Sequence, residues 1–336
     1  MKKKQIYRAF VLSIILFAWI GYLWYNENGK ETEPEFVFTY AENQPEGYPT
    51  TLGGRKFAEL VEERTNGRIK ILVFANGKLG AEGEVIRQLQ YGAVDFARVS
   101  LSELSGAVPK MNVLQMPYLY TDSAHMWRIL DGSIGDSFLE EPVNQEMIGL
   151  SWYDAGSRNF YNMLKPVRSP DDMKGMRIRV QDSALMKDVV EALGATAVPI
   201  DYSEVYAALE RGEVDGAENN WPSYEATQHY EVAPYYTLDE HTRIPEIQLG
   251  SKHTWEKLSE QDQQVILECA KESAVYEREL WREREGESRS QAERNGAVAV
   301  ELSAQEKELF YEAVQGVYEK YCCDYKDIIK AIRKES

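Results

Sequence analysis

Lys174–Tyr224, KGMRIRVQDSALMKDVVEALGATAVPIDYSEVYAALERGEVDGAENNWPSY, decides the fold. It reads as strand, helix, strand, helix, strand, helix. Met176, Ile178 and Val180 alternate with Arg177 and Arg179, so the two arginines share one side of a strand. Gln181-Asp182-Ser183 starts a helix and Gly194 stops it. Thr196–Ile200 is a short β-rich run. Ser203 caps a helix that ends near Gly212. Val214–Ala217 is a third strand, with Asn219 and Asn220 at its carboxyl end. Ligands of open α/β sheets sit outside the carboxyl ends of strands. The spacing therefore puts Arg179 and Asn219 at the mouth of one crevice. Arg177 lies deeper on the same strand, which leaves Arg179 as the ligand-facing arginine.

The amino-terminal half repeats this plan. Phe36–Ala41 is a strand, and Thr50–Thr65 is a helix ended by Asn66-Gly67. Arg68–Phe74 is a strand with Ile69, Ile71 and Val73 inward. Glu82–Tyr91 is a helix and Val94–Val99 a strand. Leu89-Gln-Tyr-Gly-Ala-Val-Asp-Phe-Ala97 echoes Leu209-Glu-Arg-Gly-Glu-Val-Asp-Gly-Ala217, and Arg68-Ile-Lys70 echoes Arg177-Ile-Arg179. The chain therefore reads as two similar α/β lobes rather than one long sheet.

After an aromatic loop, Gln115–Tyr120, come helices near Asp122–Leu130 and Ile134–Asn144. A strand over Ile148–Ala155 breaks at Gly156, and Arg158–Met163 is another. The chain crosses a hinge here, and Arg158 is the first charge beyond it. Tyr230–Glu246 reads as irregular, and Ile247–Ser251 as a strand returning to the first lobe. Ser259-Glu-Gln-Asp262 opens a long helix to about Arg294. Ala297–Leu302 is a strand, and Ser303-Ala-Gln-Glu306 opens terminal helices. The expected boundaries are 1–30 for an N-terminal segment, 31–155 with 245–285 for lobe I, and 156–244 with 286–336 for lobe II.

With 336 residues, 43% of them hydrophobic, the chain can build two cores. Its net charge of −17 argues against a nucleic-acid partner, because phosphate binding needs a basic face. An acidic exterior also repels anions, so capturing one requires a few enclosed arginines. Cys269, Cys322 and Cys323 lack metal-ligand or Cys-x-x-Cys spacing. His125, His229, His241 and His253 form no zinc signature. There is no Gly-x-Ser-x-Gly elbow and no phosphate loop, so no catalytic residue, metal or cofactor is expected. Lys2, Lys3, Lys4 and Arg8 precede the uncharged run Ala9–Tyr25, which is at the short end of a bilayer span. Bulky residues occupy the place of a cleavage site. The segment is a cleaved signal peptide or a membrane anchor, of which the uncleaved anchor is favoured, with the body outside the cytoplasm.

Several motifs together resemble the solute-binding proteins of tripartite ATP-independent periplasmic (TRAP) transporters, the DctP family. They are Gly77-Lys-Leu-Gly80, Gly156-Ser-Arg158, Lys174-Gly-Met-Arg-Ile-Arg-Val180, Glu204-Val-Tyr206 and Val214-Asp-Gly-Ala-Glu-Asn219. The resemblance runs from Phe36 to the carboxyl terminus. It implies a periplasmic-binding-protein-like α/β fold, two lobes joined by hinge strands and a long helix. It also implies that Arg179 pairs bidentately with a substrate carboxylate, that Arg158 reaches the same group, and that Asn219 contacts the same ligand. Tyr202 then stacks near the ligand and Glu246 adds a polar contact. Asn220 is either a helix cap or a sugar contact, and Gln44, on a strand-end loop, is a further candidate.

Tyr153–Tyr161, Glu218–Tyr224 and His229–Ala233 look like members that bind hexuronates such as glucuronate or galacturonate. The expected function is extracytoplasmic capture of an acidic sugar by a monomer. The sugar then passes to TRAP membrane subunits for uptake driven by an ion gradient. A C4-dicarboxylate or 2-oxo acid ligand, a tethered sensor ectodomain, and an enzyme acting on carboxylates remain the competing readings.

Overall fold

Two sheets organise residues 33–335, which with Trp19 are the part of the chain described by this computed structural model. The expected anchor therefore lies, Trp19 apart, outside the described residues. Among the described residues no helix is long and apolar enough to cross a membrane.

The first lobe opens with β1 (Phe36–Ala41), β2 (Ile69–Phe74), β3 (Phe96–Ser100) and β4 (Met147–Tyr153). The second holds β5 (Ser157–Asn162), β6 (Arg177–Val180), β7 (Thr196–Pro199), β8 (Gly216–Asn219), β9 (Tyr235–Thr237) and β10 (Thr242–Arg243). The chain then returns through β11 (Glu246–Ser251) and later adds β12 (Val298–Val300). The first sheet runs β2-β1-β3-β11-β4. The second runs β12-β9-β5-β8-β6-β7, with β10 on β5. The duplicated plan is visible in the strand order: β2-β1-β3 and β7-β6-β8 are the same parallel arrangement.

The sequence echo has a physical basis. Gly92 and Gly212 end equivalent helices in the left-handed region, at φ 71° and 65°. Asp95 and Asp215, three residues on, each accept a backbone N–H from the first strand of the repeated unit, β1 or β6. Thr39 N donates to Asp95 and Arg177 N to Asp215, both at 2.8 Å.

Six helices set the site. They are α1 (Pro49–Arg64), α2 (Glu82–Tyr91), α3 (Ala184–Ala192), α4 (Val205–Glu210), α5 (Trp221–Ala226) and the 35-residue α6 (Glu260–Arg294). The Ser183 and Ser259 hydroxyls cap α3 and α6 as their positions predict.

Three local expectations are corrected. Ser203 caps nothing; it lies in a 3₁₀ turn, Tyr202–Glu204, that leads into α4. The third strand of the second lobe is Gly216–Asn219, two residues later than Val214–Ala217. Pairing with β5 and β6 fixes that register. Gly216 takes the tight place, where a Cβ would come within 2.4 Å of the Tyr161 carbonyl, while Val214 is buried in the core instead. Tyr230–Glu246 is not irregular throughout, because it contains β9 and β10. Strands of two or three residues are too short to show alternation.

The chain crosses between the sheets at Asp154–Gly156, and again between Arg243 and Glu246. α6 packs against α1 of the first lobe and α5 of the second, and so splints both. The terminal helices also touch both sides. The Tyr318 hydroxyl donates to the Pro117 carbonyl at 2.7 Å, and the Tyr321 hydroxyl bonds Asp188 at 2.5 Å. We propose the lobe boundaries 31–155 with 245–285 and 156–244 with 286–336, since every strand falls on its own side of them.

At the first crossing, Asp154 accepts from Gly156 N at 2.8 Å and from Trp127 Nε1 at 3.0 Å. Its own N–H donates to Glu277 of α6 at 2.8 Å. Gly156 has φ 59°, and a Cβ there would lie 2.5 Å from Glu285 Oε1 and 3.0 Å from Trp281 Nε1. Gly156→Ala is therefore expected to cost about 1–3 kcal/mol of stability. Urea denaturation measures this, and an unchanged midpoint would contradict the close packing of hinge on helix.

Candidate ligand-binding cleft

All seven residues singled out in the sequence line one cavity of about 210 Å³ between the lobes. They arrive from separate elements. Arg158 is on β5, Arg179 at the carboxyl end of β6, Asn219 at the end of β8 and Asn220 at the start of α5. Tyr202 lies in the turn before α4, Glu246 begins β11, and Gln44 follows β1.

Arg179 is 2% exposed. Its Nε donates to the Ile200 carbonyl at 2.8 Å, and both Nη groups are left without an acceptor among the described residues. Among the described residues no carboxylate lies within ion-pair distance of it. Burial, joined by repulsion from Arg158 and opposed by Glu218, pushes its pKa below the ordinary arginine value. Arg177 does not lie deeper than Arg179, as its strand position suggests. It sits at the outer end of β6, half exposed, and grips Asp215 through Nη2 at 2.7 Å. Asp215 stands just before the parallel neighbour β8, so that end of the sheet supplies Arg177 with its partner.

Arg158 is buried and paired with Glu218 through Nε and, at 2.9 Å, through Nη2. Its Nη2 also donates to the Glu218 carbonyl at 3.0 Å, which leaves Nη1 free. Glu218 is held at about 2: burial works against it, but Arg158 and His241 outweigh burial. His241, stacked on Phe160 at 4.1 Å and bonded to Asp239 at 2.8 Å, is raised to about 9. Burial opposes that rise and the two carboxylates produce it.

Asn219 uses its Oδ1 on the Asn220 N–H at 2.9 Å, and its Nδ2 has no protein partner. Asn220 is the helix cap: Oδ1 accepts from Ser223 N at 2.8 Å, and Nδ2 donates to the hinge carbonyl of Ala155 at 3.0 Å. The Tyr202 hydroxyl lies beside Gln44 and Ser223 without a well-formed hydrogen bond to either. Gln44 Oε1 is likewise unpartnered. Trp152 and Tyr153 are buried in β4 and do not line the cavity.

The sequence reading missed Arg98 and its carboxylates. Arg98, on β3, is 3% exposed. Nε bonds Glu42 at 3.1 Å, and Nη1 bonds both Glu82 and Glu246 at 2.8 Å. Nη2 bonds Glu42 and Asn43. A guanidinium has five N–H donors, and here all five are used. The signal for Arg98 was in the echo itself. Extended by one residue, it aligns Arg98 with Glu218, a buried charge in each lobe. A charge inside an otherwise apolar strand requires a partner.

The two walls touch across the cleft. The Tyr48 hydroxyl meets Ser223 Oγ at 2.8 Å, Ser100 Oγ donates to Gln181 at 3.5 Å, and Asp182 N donates to Glu103 at 3.2 Å.

Burial and the neighbouring Glu246, Glu103 and Glu42 raise Glu82 from 4.5 to about 8, although Arg98 opposes the rise. Between pH 6.5 and 8 the folded protein keeps protons on Glu82 and His241 that the unfolded chain has released. A state that binds more protons loses stability as pH rises. The melting temperature should therefore fall from pH 6.5 to pH 8, with a shallower slope in Glu82→Gln. A melting temperature that rises across that window would contradict the assignment.

The fold and the cleft define a class: a two-lobed α/β binding protein with an enclosed, arginine-bearing site between its lobes. The profile of the bacterial extracellular solute-binding proteins, family 7 (DctP), matches residues 40–324, and the chain belongs to that family. It is an extracytoplasmic solute-binding protein by family. A TRAP periplasmic solute-binding protein from Pseudomonas putida F1, solved with bound D-glucuronate, is 39% identical. That match has a TM-score of 0.86 and covers 88% of this chain and 96% of the other. One from Xanthobacter autotrophicus Py2 with bound β-D-galacturonate is 38% identical at TM-score 0.86, covering 88% and 99%. One from Sulfurospirillum deleyianum with bound succinate is 26% identical at TM-score 0.85, covering 90% and 100%.

Proposed function

We propose that this protein captures a hexuronate such as D-glucuronate or D-galacturonate between its lobes and delivers it, unchanged, to TRAP membrane subunits. The observation that carries the reading is Arg179, a buried guanidinium with four N–H donors and no protein carboxylate to receive them. A carboxylate is the planar, bidentate acceptor that fits such a fork. Arg158 Nη1 and Asn219 Nδ2 stand on the same wall as further donors. Gln44, Glu82 and Glu246 offer acceptors to sugar hydroxyls. Tyr202 lines the cavity as the aromatic candidate for packing against the sugar, and Asn220 acts by fixing α5 against the hinge. The relatives with bound uronates stand at 38–39% identity and the succinate binder at 26%, which supports an acidic sugar over a C4-dicarboxylate.

Arg179→Ala should weaken glucuronate binding by about 100-fold or more in calorimetry, since each charge-assisted bond contributes about 1.5–3 kcal/mol. Glucuronate or galacturonate should raise the wild-type melting temperature more than succinate does. Full affinity in the alanine variant, or the reverse ligand order, would reject the reading.

The protein is proposed to act as a monomer tethered to the membrane. The uncharged run Ala9–Tyr25 behind a basic flank supports the tether. Cell fractionation should find the protein with membranes, and recovery in the soluble fraction would remove the tether from this reading.

A further inference from the structure

The cavity has two arginine-bearing walls that differ in what they leave free. The second-lobe wall presents six guanidinium N–H groups without partners among the described residues, four on Arg179 and two on Arg158. The first-lobe wall presents none, because Glu42, Glu82, Glu246 and Asn43 take every donor of Arg98. That wall instead carries carboxylates in excess, three around one guanidinium, all buried or nearly so. Oε1 of Glu246 and Oε2 of Glu82 have no protein donor, and both residues line the cavity. Gln44, 7% exposed, lines the same cavity with an unpartnered Oε1. Such a surface accepts hydrogen bonds from hydroxyls and repels an anion.

We infer that the Arg98–Glu42–Glu82–Glu246 wall is a selectivity filter that admits hydroxylated monoacids and rejects a second carboxylate, so that hexuronates are taken and their aldarate counterparts, oxidised at both ends, are excluded. This rests on the hexuronate reading given above and deepens it. The carboxylate of the ligand has one place to go, the wall of Arg179 and Arg158. The rest of the molecule then faces the acidic wall. A sugar donates its hydroxyls there, while an aldarate brings a second negative charge against three carboxyl groups that share a single guanidinium. Arg98 cannot relieve that contact, having no donor left. The cost falls on diacids as a class, C4-dicarboxylates included.

The test is calorimetry on the full chain at pH 9, where Glu82 has released the proton it holds near neutral pH, with D-glucuronate and D-glucarate, in wild type, Glu246→Gln and Glu82→Gln. These substitutions keep an acceptor oxygen and remove the charge. Like-charge contact of several kcal/mol predicts that wild type binds glucuronate at least about 100-fold more tightly than glucarate. Either glutamine variant should narrow that ratio by about tenfold or more, mainly by improving glucarate binding. Thermal melts check that each variant folds, and Glu82, at the start of α2, serves should Glu246→Gln not fold. Equal wild-type affinity for the two acids, or an unchanged ratio in a folded variant, overturns this inference and leaves hexuronate capture standing. Failure of wild type to bind any hexuronate overturns both.

Discussion

A guanidinium shut away from water without a counterion is expensive, and the second lobe is arranged around keeping one. Arg179 remains charged in a site that burial makes hostile to charge. Its neighbours are prevented from making matters worse. His229, buried nearby with its ring bonded to Tyr161 at 2.7 Å, is depressed to about 3 by burial and by Arg179, so it brings no second cation. Glu218 would be the natural partner for Arg179 but is committed to Arg158 and His241. The strand end and the Ile200 carbonyl hold the fork in position while leaving its outer face unspent.

The duplicated architecture explains how one chain makes two unlike walls. In each lobe a parallel 2-1-3 arrangement brings the end of the third strand to the cleft. An antiparallel strand from elsewhere in the chain then lies beside it: β11 next to β3 and β5 next to β8. Arg98 and Glu218 occupy matching places on the third strands. Each is paired from the flanking strand, Arg98 by Glu246 of β11 and Glu218 by Arg158 of β5. Exchanging the sign at one position, on the same scaffold, yields a donor-rich wall on one side and an acceptor-rich wall on the other.

Much of this was legible in the sequence, because periodicity and helix punctuation are local. Alternation at Met176–Val180, capping serines at 183, 259 and 303, and helix-ending glycines at 92, 194 and 212 fix most elements. The convergence of Arg179 and Asn219 followed from strand ends facing one crevice, and Arg158 joined them through the family resemblance. The Ser203 cap apart, the failures share one cause, which is pairing between distant segments. The register of β8 is set by β5 and β6, the strands β9 and β10 exist only through their partners, and Arg177 finds Asp215 across the sheet. The Arg98 cluster draws on residues 42, 43, 82 and 246, a span that no motif reports.

The interleaving of β11 between β3 and β4 bears on how the molecule is made. As the chain emerges in order, the first sheet lacks an interior member until residues 246–251 appear, by which time the whole ladder β5–β10 has already been synthesised. β4 has no hydrogen-bonding neighbour in its own sheet before then. The lobe that starts first must therefore wait for a strand made after β5–β10. Long-range pairing of this kind is slow and leaves apolar surface uncovered while it waits. A nascent chain that cannot close its amino-terminal half early stays extended for longer, a property suited to a polypeptide that must be threaded across a membrane before it folds.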